Sequence, residues 1–295
     1  MGVFVELIAS LGAIELSILT AIIVIVFFAV TQPWRSGGAS ERSAEEKLIR
    51  PPEDLEVDDI SKSADNDHDE ESVARIPYHH DKLSDSDMLA RSQRFYEQMN
   101  ARRSVRVFSK QTVSIDIIKN IVRTAGTSPS GAHLQPWTFA IVSNAEVKSA
   151  IRKVVEEEEE INYAKRMGEK WVKDVIRFSP QDSINWIKPY LEEAPYLIVV
   201  LKHAYQIKPN GERQETYYNE ISTSIAVGLL LAAIQMAGLV TVTTTPLNAG
   251  LAIRQILDRP ANEKVSLLLP VGHPASDATI PDLKRKPLEE IMQLF

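Results

Sequence analysis

At 295 residues, 44% hydrophobic and 25% charged, the chain has the length of one large domain or two ordinary ones and a globular composition, which excludes wholesale disorder. It contains no cysteine, so disulfides, thiolate nucleophiles and Cys-ligated metals are excluded, and none of its six histidines falls in an HxxxH or HExxH pattern. The formal charge of -7 is local: residues 51–72 hold ten Asp and Glu against one Lys, so the remainder is close to neutral and no nucleic-acid-binding surface is implied.

The first element in chain order is an apolar run from Leu7 to Val30, free of charge between Leu16 and Val30. Extended to Trp34, it has nearly the length that a helix rising ~1.5 Å per residue needs to cross a ~30 Å hydrocarbon core. Residues 1–35 therefore read as a membrane anchor, with Glu15 and Trp34 at its two interfaces. A cleaved signal peptide is the alternative, although no Lys or Arg precedes the apolar run. Arg35, Arg42, Lys47 and Arg50 follow the span, which places the rest of the chain on the cytosolic side. Position 6 is Glu, so the Met-Gly start does not match a myristoylation site. Residues 36–85 are rich in Ser, Asp, Glu and Pro and read as an acidic disordered tether.

From residue 86 to 295 the patterning is that of a folded α+β domain. Ser86–Asn100 is expected to be an amphipathic helix with Met88, Phe95 and Met99 on its apolar side. A second helix is expected over Ile115–Ala125, with Ile117, Ile118, Ile121, Val122 and Ala125 at helical spacing. Strand patterns follow at Trp137–Val142, Tyr196–Leu201, Leu239–Thr244 and Val265–Val271, and a helix from Ala145 runs through the Glu156–Glu160 acidic stretch. Asn219–Ala237 is apolar almost all round and closed by Gly238, which predicts a helix buried on every side, either in the core or partly against a second subunit. A second membrane span is the weaker reading, because Gln235 interrupts the apolar composition.

Four segments carry chemistry. No GxGxxG follows a strand and no GxxxxGK[ST] occurs, so Rossmann and P-loop cradles are disfavoured. Arg102-Arg103-Ser104-Val105-Arg106 places three guanidiniums around one hydroxyl, a group suited to bidentate contacts with phosphate. Ser128 to Trp137 (SPSGAHLQPW) is a loop whose prolines and glycine leave backbone N–H groups free to donate. Thr243, Thr244 and Thr245 end a strand at Pro246, and Pro281–Pro287 (PDLKRKP) is a late basic arm. Each alone also fits a solvated surface or an ordinary turn.

Taken in order and spacing, these segments resemble the flavin-dependent nitroreductase superfamily, and the resemblance covers roughly residues 86–290. The stretches EEEEEINYAKRMG (156–168), NWIK (185–188), YYNEIS (217–222) and GLVTVTTTPLN (238–248) are similar to its halotyrosine-dehalogenating branch. His133 stands where many members have Asn, and residues 178–184 (FSPQDSI) read as a local insertion.

The resemblance implies a nitroreductase-like fold, a mixed sheet flanked by helices in an obligate homodimer. It implies FMN as cofactor and NADPH as ultimate electron donor through a reductase partner. It also implies a halotyrosine substrate that is reduced to tyrosine and halide. Arg102, Arg103, Ser104 and Arg285 would hold the phosphate and ribityl chain, with Val105 beside them and Arg106 at the polar edge of the ring. Ser130 and Gly131 would contact the flavin, and the Ala132 N–H would reach the substrate phenolate. Thr243, Thr244 and Thr245 would line the ring, with the Thr245 hydroxyl, the catalytic candidate, at flavin N5. Glu159, Tyr163 and Lys188 would grip the amino-acid end: Glu159 and Tyr163 share a helix face at i, i+4, and Lys188 adds the opposite charge. The segment between Tyr163 and Lys188 is expected to be a lid over the substrate. The alternatives are an anchored generic nitro- or quinone reductase, which would lack the clamp, and a non-catalytic subunit that keeps the fold.

Overall fold

The computed structural model describes residues 73–166, 170 and 186–295. The expected anchor, residues 36–72 of the expected tether, the insertion at 178–184 and most of the expected lid lie outside the described residues. Residues 73–84 have no regular structure and are largely exposed, and residues 80–295 form one compact unit.

Polar residues at the helix starts set the frame. α1 (Asp85–Ala101) opens where the Ser84 hydroxyl accepts the Asp87 N–H at 3.2 Å, and α2 (Ile115–Ala125) where the Ser114 hydroxyl accepts that of Asp116. α3 (Ala145–Ile161) opens where Asn144 Oδ1 accepts the Val147 N–H at 2.9 Å. A π-helical turn, Asn162–Arg166, continues α3, and α4 is the short Tyr190–Glu193. α5 (Asn219–Met236) closes at Gly238, whose φ of 74° turns the chain back and lets the Leu239 N–H reach the Ile234 carbonyl. α6 is Gly250–Ile256.

The main sheet has the order β1-β2-β6-β5, with β1 Trp137–Val142, β2 Tyr196–His203, β5 Val240–Thr241 and β6 Glu263–Gly272. Its strand pairs are antiparallel, and a parallel bridge from Ser104 to Thr241 at the β5 edge makes it mixed. β3 (Tyr205–Ile207) and β4 (Arg213–Glu215) form a separate hairpin. β2 is buried on both faces. Leu197, Val199 and Leu201 pack with Ile151 and Val155 of α3 and Ile253 of α6, whereas Ile198 and Val200 pack with Ile118 and Ile121 of α2 and Val227 and Leu230 of α5.

Three expectations are corrected. The strand expected over Leu239–Thr244 is broken: after β5, pairing with β6 resumes only at Thr244–Leu268, in the same register. Thr244 and Leu268 exchange both backbone bonds, so residue 270 turns the same edge towards residue 242, and Pro270 has no N–H to give. Within one copy of the chain α5 is not buried on every side, which corrects the wholly core setting: Ser222, Thr223, Ala226, Val227, Leu230 and Ile234 are buried, while Ile221, Ile225 and Met236 are exposed, because the sheet and α2 cover one side only. α5 is long and apolar enough to span a membrane by length and composition, but it is the helix that packs this face of the sheet. α1 has no buried residue within the described chain, and Met88 and Phe95 are about half exposed although α5 packs near the helix.

Candidate active site

The RRSVR run leaves α1 in extended conformation and is strapped to the sheet edge, where the Val105 N–H donates to the Thr241 carbonyl at 3.1 Å and Val105 is buried. Folded against it is the late basic arm. Arg285 caps α1, donating to the Asn100 carbonyl at 2.9 Å, to Asn100 Oδ1 at 3.0 Å and to the Arg102 carbonyl at 2.7 Å. Arg103 donates to the Pro281 carbonyl. Between run and arm lies a cleft of about 330 Å³ lined by Arg102, Arg103, Ser104, Arg106, Lys284 and Arg285 together with Pro281 and Leu283. Burial, and then the charges of Arg285 and Arg103, push the Arg102 guanidinium below its ordinary value. Five cations and, among the described residues, no acid line the cleft, so it fits a phosphate dianion, which would relieve that repulsion.

The Ser130–Pro136 loop is held in an unusual conformation by its surroundings. Ala132, His133 and Gln135 all have positive φ. The Ser130 hydroxyl accepts the Gln135 N–H at 2.9 Å, and the Ser222 hydroxyl lies 3.4 Å from the Gly131 N–H. The Pro136 carbonyl accepts from both the Thr223 hydroxyl and the His203 N–H. A Cβ at Gly131 would sit 3.1 Å from the Tyr217 carbonyl oxygen, so glycine permits this close approach. Among the described residues the Ala132 N–H donates to no group, and Ala132 is exposed.

This loop and the cationic cleft are at opposite ends of the sheet. Trp137, which follows the loop, pairs with Lys202 of β2; Thr241, which holds Ser104 and Val105, pairs with Val271, which faces Tyr196. Six residues of strand separate the two ends, roughly 20 Å. One chain does not bring Ser130, Gly131 and Ala132 to Arg102, Arg103 and Arg285.

The clamp residues do come together. Glu159 and Lys188 are almost fully buried, with Lys188 Nζ 3.8 Å from Glu159 Oε2 and 6.0 Å from the centre of the Tyr163 ring. Burial raises the Glu159 carboxyl, opposed by Lys188; burial lowers the Lys188 ammonium, opposed by Glu159 and reinforced by Arg106. The Tyr163 phenol is pushed up to about 12 by burial and by the Glu159 charge. Arg106 also acts on the buried Tyr190 phenol, so the clamp adjoins the RRSVR segment.

Thr244 is committed within the fold, its backbone to Leu268 and its hydroxyl to Tyr190 Oη at 3.3 Å. Thr243 and Thr245 are exposed, and Thr245 lines a second cavity of about 360 Å³ with Thr223, Ser224 and the paired Lys202 and Glu220. Sequence reasoning did not single out Tyr190, Ser222, Arg152 or Glu156. Glu156 accepts the Lys188 backbone N–H at 2.6 Å, and the spacing of 152, 156 and 159 on one helical face was the available signal. No cluster of three His, Asp or Glu suited to a metal occurs among the described residues.

A helix-flanked mixed sheet carrying a cationic cleft beside a buried acid–base pair belongs to a class of fold suited to a phosphate-bearing ligand. Residues 99–273 match the Nitroreductase family. The chain is 52% identical to iodotyrosine deiodinase of Danio rerio over 282 residues, covering 92% of this chain and 94% of the relative. It is 48% identical to iodotyrosine deiodinase 1 of Homo sapiens over 287 residues, covering 96% and 98%. Among solved structures it is similar to oxidized iodotyrosine deiodinase bound to FMN and 3-iodo-L-tyrosine, with a TM-score of 0.56, 30% identity, and coverage of 66% of this chain and 96% of that one. The chain therefore belongs to the nitroreductase family, in its iodotyrosine deiodinase branch.

Proposed function

We propose that this protein is a homodimeric, membrane-anchored FMN enzyme that converts mono- and diiodotyrosine to tyrosine and iodide, with electrons that originate in NADPH and arrive through a reductase partner. The observation that carries the reading is the buried Glu159–Lys188 pair beside Tyr163, next to a cleft of cations. A zwitterion exchanges with that pair: its ammonium takes Glu159, and its carboxylate takes Lys188 and the Tyr163 hydroxyl. A generic nitro- or quinone reductase has no use for such a pair. Sequence identity with iodotyrosine deiodinases over nearly the whole chain supports the same substrate class.

In this reading Arg102, Arg103, Ser104 and Arg285 hold the FMN phosphate and ribityl chain, with Val105 and Arg106 beside them. FMN, when bound, supplies the two electrons that, with a proton, replace an aryl carbon–halogen bond by carbon–hydrogen and release halide. Thr245 offers its hydroxyl at the flavin ring with the exposed Thr243 nearby, while Thr244, buried against Tyr190, acts only by holding the segment in place. The second copy contributes Ser130 and Gly131 to the flavin and the free Ala132 N–H to the substrate phenolate, which it holds as the anion. Two features support the dimer: the loop and the cleft lie at opposite ends of one chain's sheet, and apolar residues are exposed on α1 (Leu89, Phe95, Tyr96), on α5 (Ile221, Ile225, Met236) and at the C-terminus (Ile291, Leu294, Phe295). The uncharged run Leu16–Val30 supports the anchor, the basic residues behind it the cytosolic side, and the acidic segment 36–85 a tether to the catalytic domain, 86–295.

The test is the visible spectrum of the full-length protein purified in detergent, with and without 3-iodotyrosine, followed by anaerobic reduction with dithionite. The expected result is a bound flavin whose spectrum shifts on adding 3-iodotyrosine and iodide released in step with tyrosine. Nitroarene or quinone turnover without iodide release would establish the generic reductase instead.

A further inference from the structure

We propose that Glu156, held by Arg152, is a positioning residue that fixes Lys188 opposite Glu159 and thereby sets the selectivity for free amino acids. The inference deepens the clamp reading above and rests on it. Successive turns along one face of α3 tie down the segment that carries Lys188. The Lys148 ammonium, buried, donates to the Glu192 carbonyl at 2.8 Å and to the Ala194 carbonyl at 2.7 Å. One turn on, Arg152 reaches Glu192 Oε2 at 3.2 Å and Glu156 Oε1 at 2.7 Å. One turn further, that same Glu156 oxygen accepts the Lys188 backbone N–H at 2.6 Å. The last rung is Glu159 with Lys188 Nζ at 3.8 Å.

The rungs differ in kind. Those made by Lys148, Arg152 and Glu156 are at hydrogen-bond distance and involve main chain or a neighbouring helix, so they fix where residue 188 stands relative to α3. The last is longer than a hydrogen bond and joins two side-chain ends, so it is the rung that a zwitterion can open. Along the last three rungs side-chain exposure falls, from 27% at Arg152 and 16% at Glu156 to 8% at Glu159. Glu156 is thus placed to hold the backbone of the residue whose ammonium recognises the ligand, without touching the ligand. Its removal leaves the Lys188 N–H without its acceptor and Arg152 without one of its partners, and the distance between the two clamp charges is no longer set.

The experiment measures dissociation constants of 3-iodotyrosine and 2-iodophenol on FMN-loaded full-length protein by flavin fluorescence, for Glu156→Ala, Glu156→Gln, Arg152→Met, Lys188→Gln and the exposed control Glu157→Ala. Glu156→Ala should weaken 3-iodotyrosine by roughly tenfold or more. Binding of 2-iodophenol and flavin content should stay at the parent level. Glu156→Gln, which keeps an acceptor for the N–H but loses the ion pair with Arg152, should fall between parent and Ala, and Glu157→Ala should match the parent. Parent-like 3-iodotyrosine binding in Glu156→Ala, with Lys188→Gln weakened, overturns the positioning role and leaves the clamp standing. Unchanged binding in both overturns the clamp and this inference together. Equal losses for the two ligands overturn it too, as they mark a general distortion of the site. If Glu156→Ala does not fold, Glu156→Gln and Arg152→Met decide, and absence of a selective loss in both overturns the proposal.

Discussion

Two opposite charges buried face to face, as Glu159 and Lys188 are, make a stringent filter, since a ligand must replace one ion pair with two. A ligand with only an ammonium takes Glu159 and strands Lys188. We therefore expect 3-iodotyramine to bind no more tightly than 2-iodophenol, which leaves the pair intact, and 3-iodotyrosine to bind far more tightly than either. Titration of flavin fluorescence with the three ligands checks this, and 3-iodotyramine binding like 3-iodotyrosine would show that Lys188 does not recognise the carboxylate. The pH dependence follows with its sign. Burial raises the Glu159 carboxyl, so the acid limb of the preference for iodotyrosine over iodophenol lies above the ordinary glutamate range; burial lowers the Lys188 ammonium, so the alkaline limb lies below the ordinary lysine range. The window between them is narrowed from both sides, and a preference that stays flat through both limbs contradicts the assignment. Glu159 was legible in the sequence because it shares a helix face with Tyr163. Glu156 was legible only in part: its spacing to Arg152 and Glu159 puts it on their helix face, but what covers that face is the segment 186–194, which local periodicity does not show.

At the scale of elements, β6 and the segment before β2 approach each other closely at Gly272. A Cβ on Gly272 would lie 2.5 Å from Pro195 Cδ, with Phe108 behind it, and both neighbours belong to rigid or buried groups. Gly272→Ala should therefore cost about 1–3 kcal/mol of stability through overpacking, read as a lower thermal midpoint with unchanged clamp selectivity. An unchanged midpoint would mean that the strand end can shift without cost. Elements with a strong local signal were legible here: α2 and α3 lie where helical spacing predicts them, and β1, β2 and β6 where runs of apolar and β-branched residues do. The failures have local causes. A strand read from Leu239 to Thr244 does not register that Pro270, on a strand further along the chain, cannot donate to its partner position. The β3–β4 hairpin is three residues per strand, too short for a period to show. Apolar positions on α1 and α5 were read correctly as apolar, but hydropathy does not distinguish a surface covered by the same chain from one left exposed by it.

At the scale of the whole molecule the arrangement of the two halves makes the decisive claim. The cationic cleft is tied to Thr241 at one end of the sheet and the Ser130–Ala132 loop precedes Trp137 at the other, so in the proposed dimer every site takes its cleft from one copy and its loop from the other. An isologous pair of chains then has two such sites, related by the twofold axis. Two defective proteins should repair each other. A chain with Arg102→Ala and Arg103→Ala loses its cleft but keeps its loop; a chain with Gly131→Val keeps its cleft, while its new side chain meets the Tyr217 carbonyl and the Tyr218 ring. Each alone should bind little FMN and release little iodide. Co-expressed, they form mixed dimers in which one site receives both damaged halves and the other receives both intact ones. With random pairing, half of the dimers are mixed and half of their sites are intact, so roughly one quarter of the parent's sites return. Both bound flavin and iodide release should recover by that fraction, and refolding the two purified variants separately before mixing should give none of it until the subunits exchange. A site built within one chain would give no recovery at any ratio of the two variants, and that result would remove the loop from the flavin site and leave the exposed apolar faces of α1 and α5 without the role assigned to them.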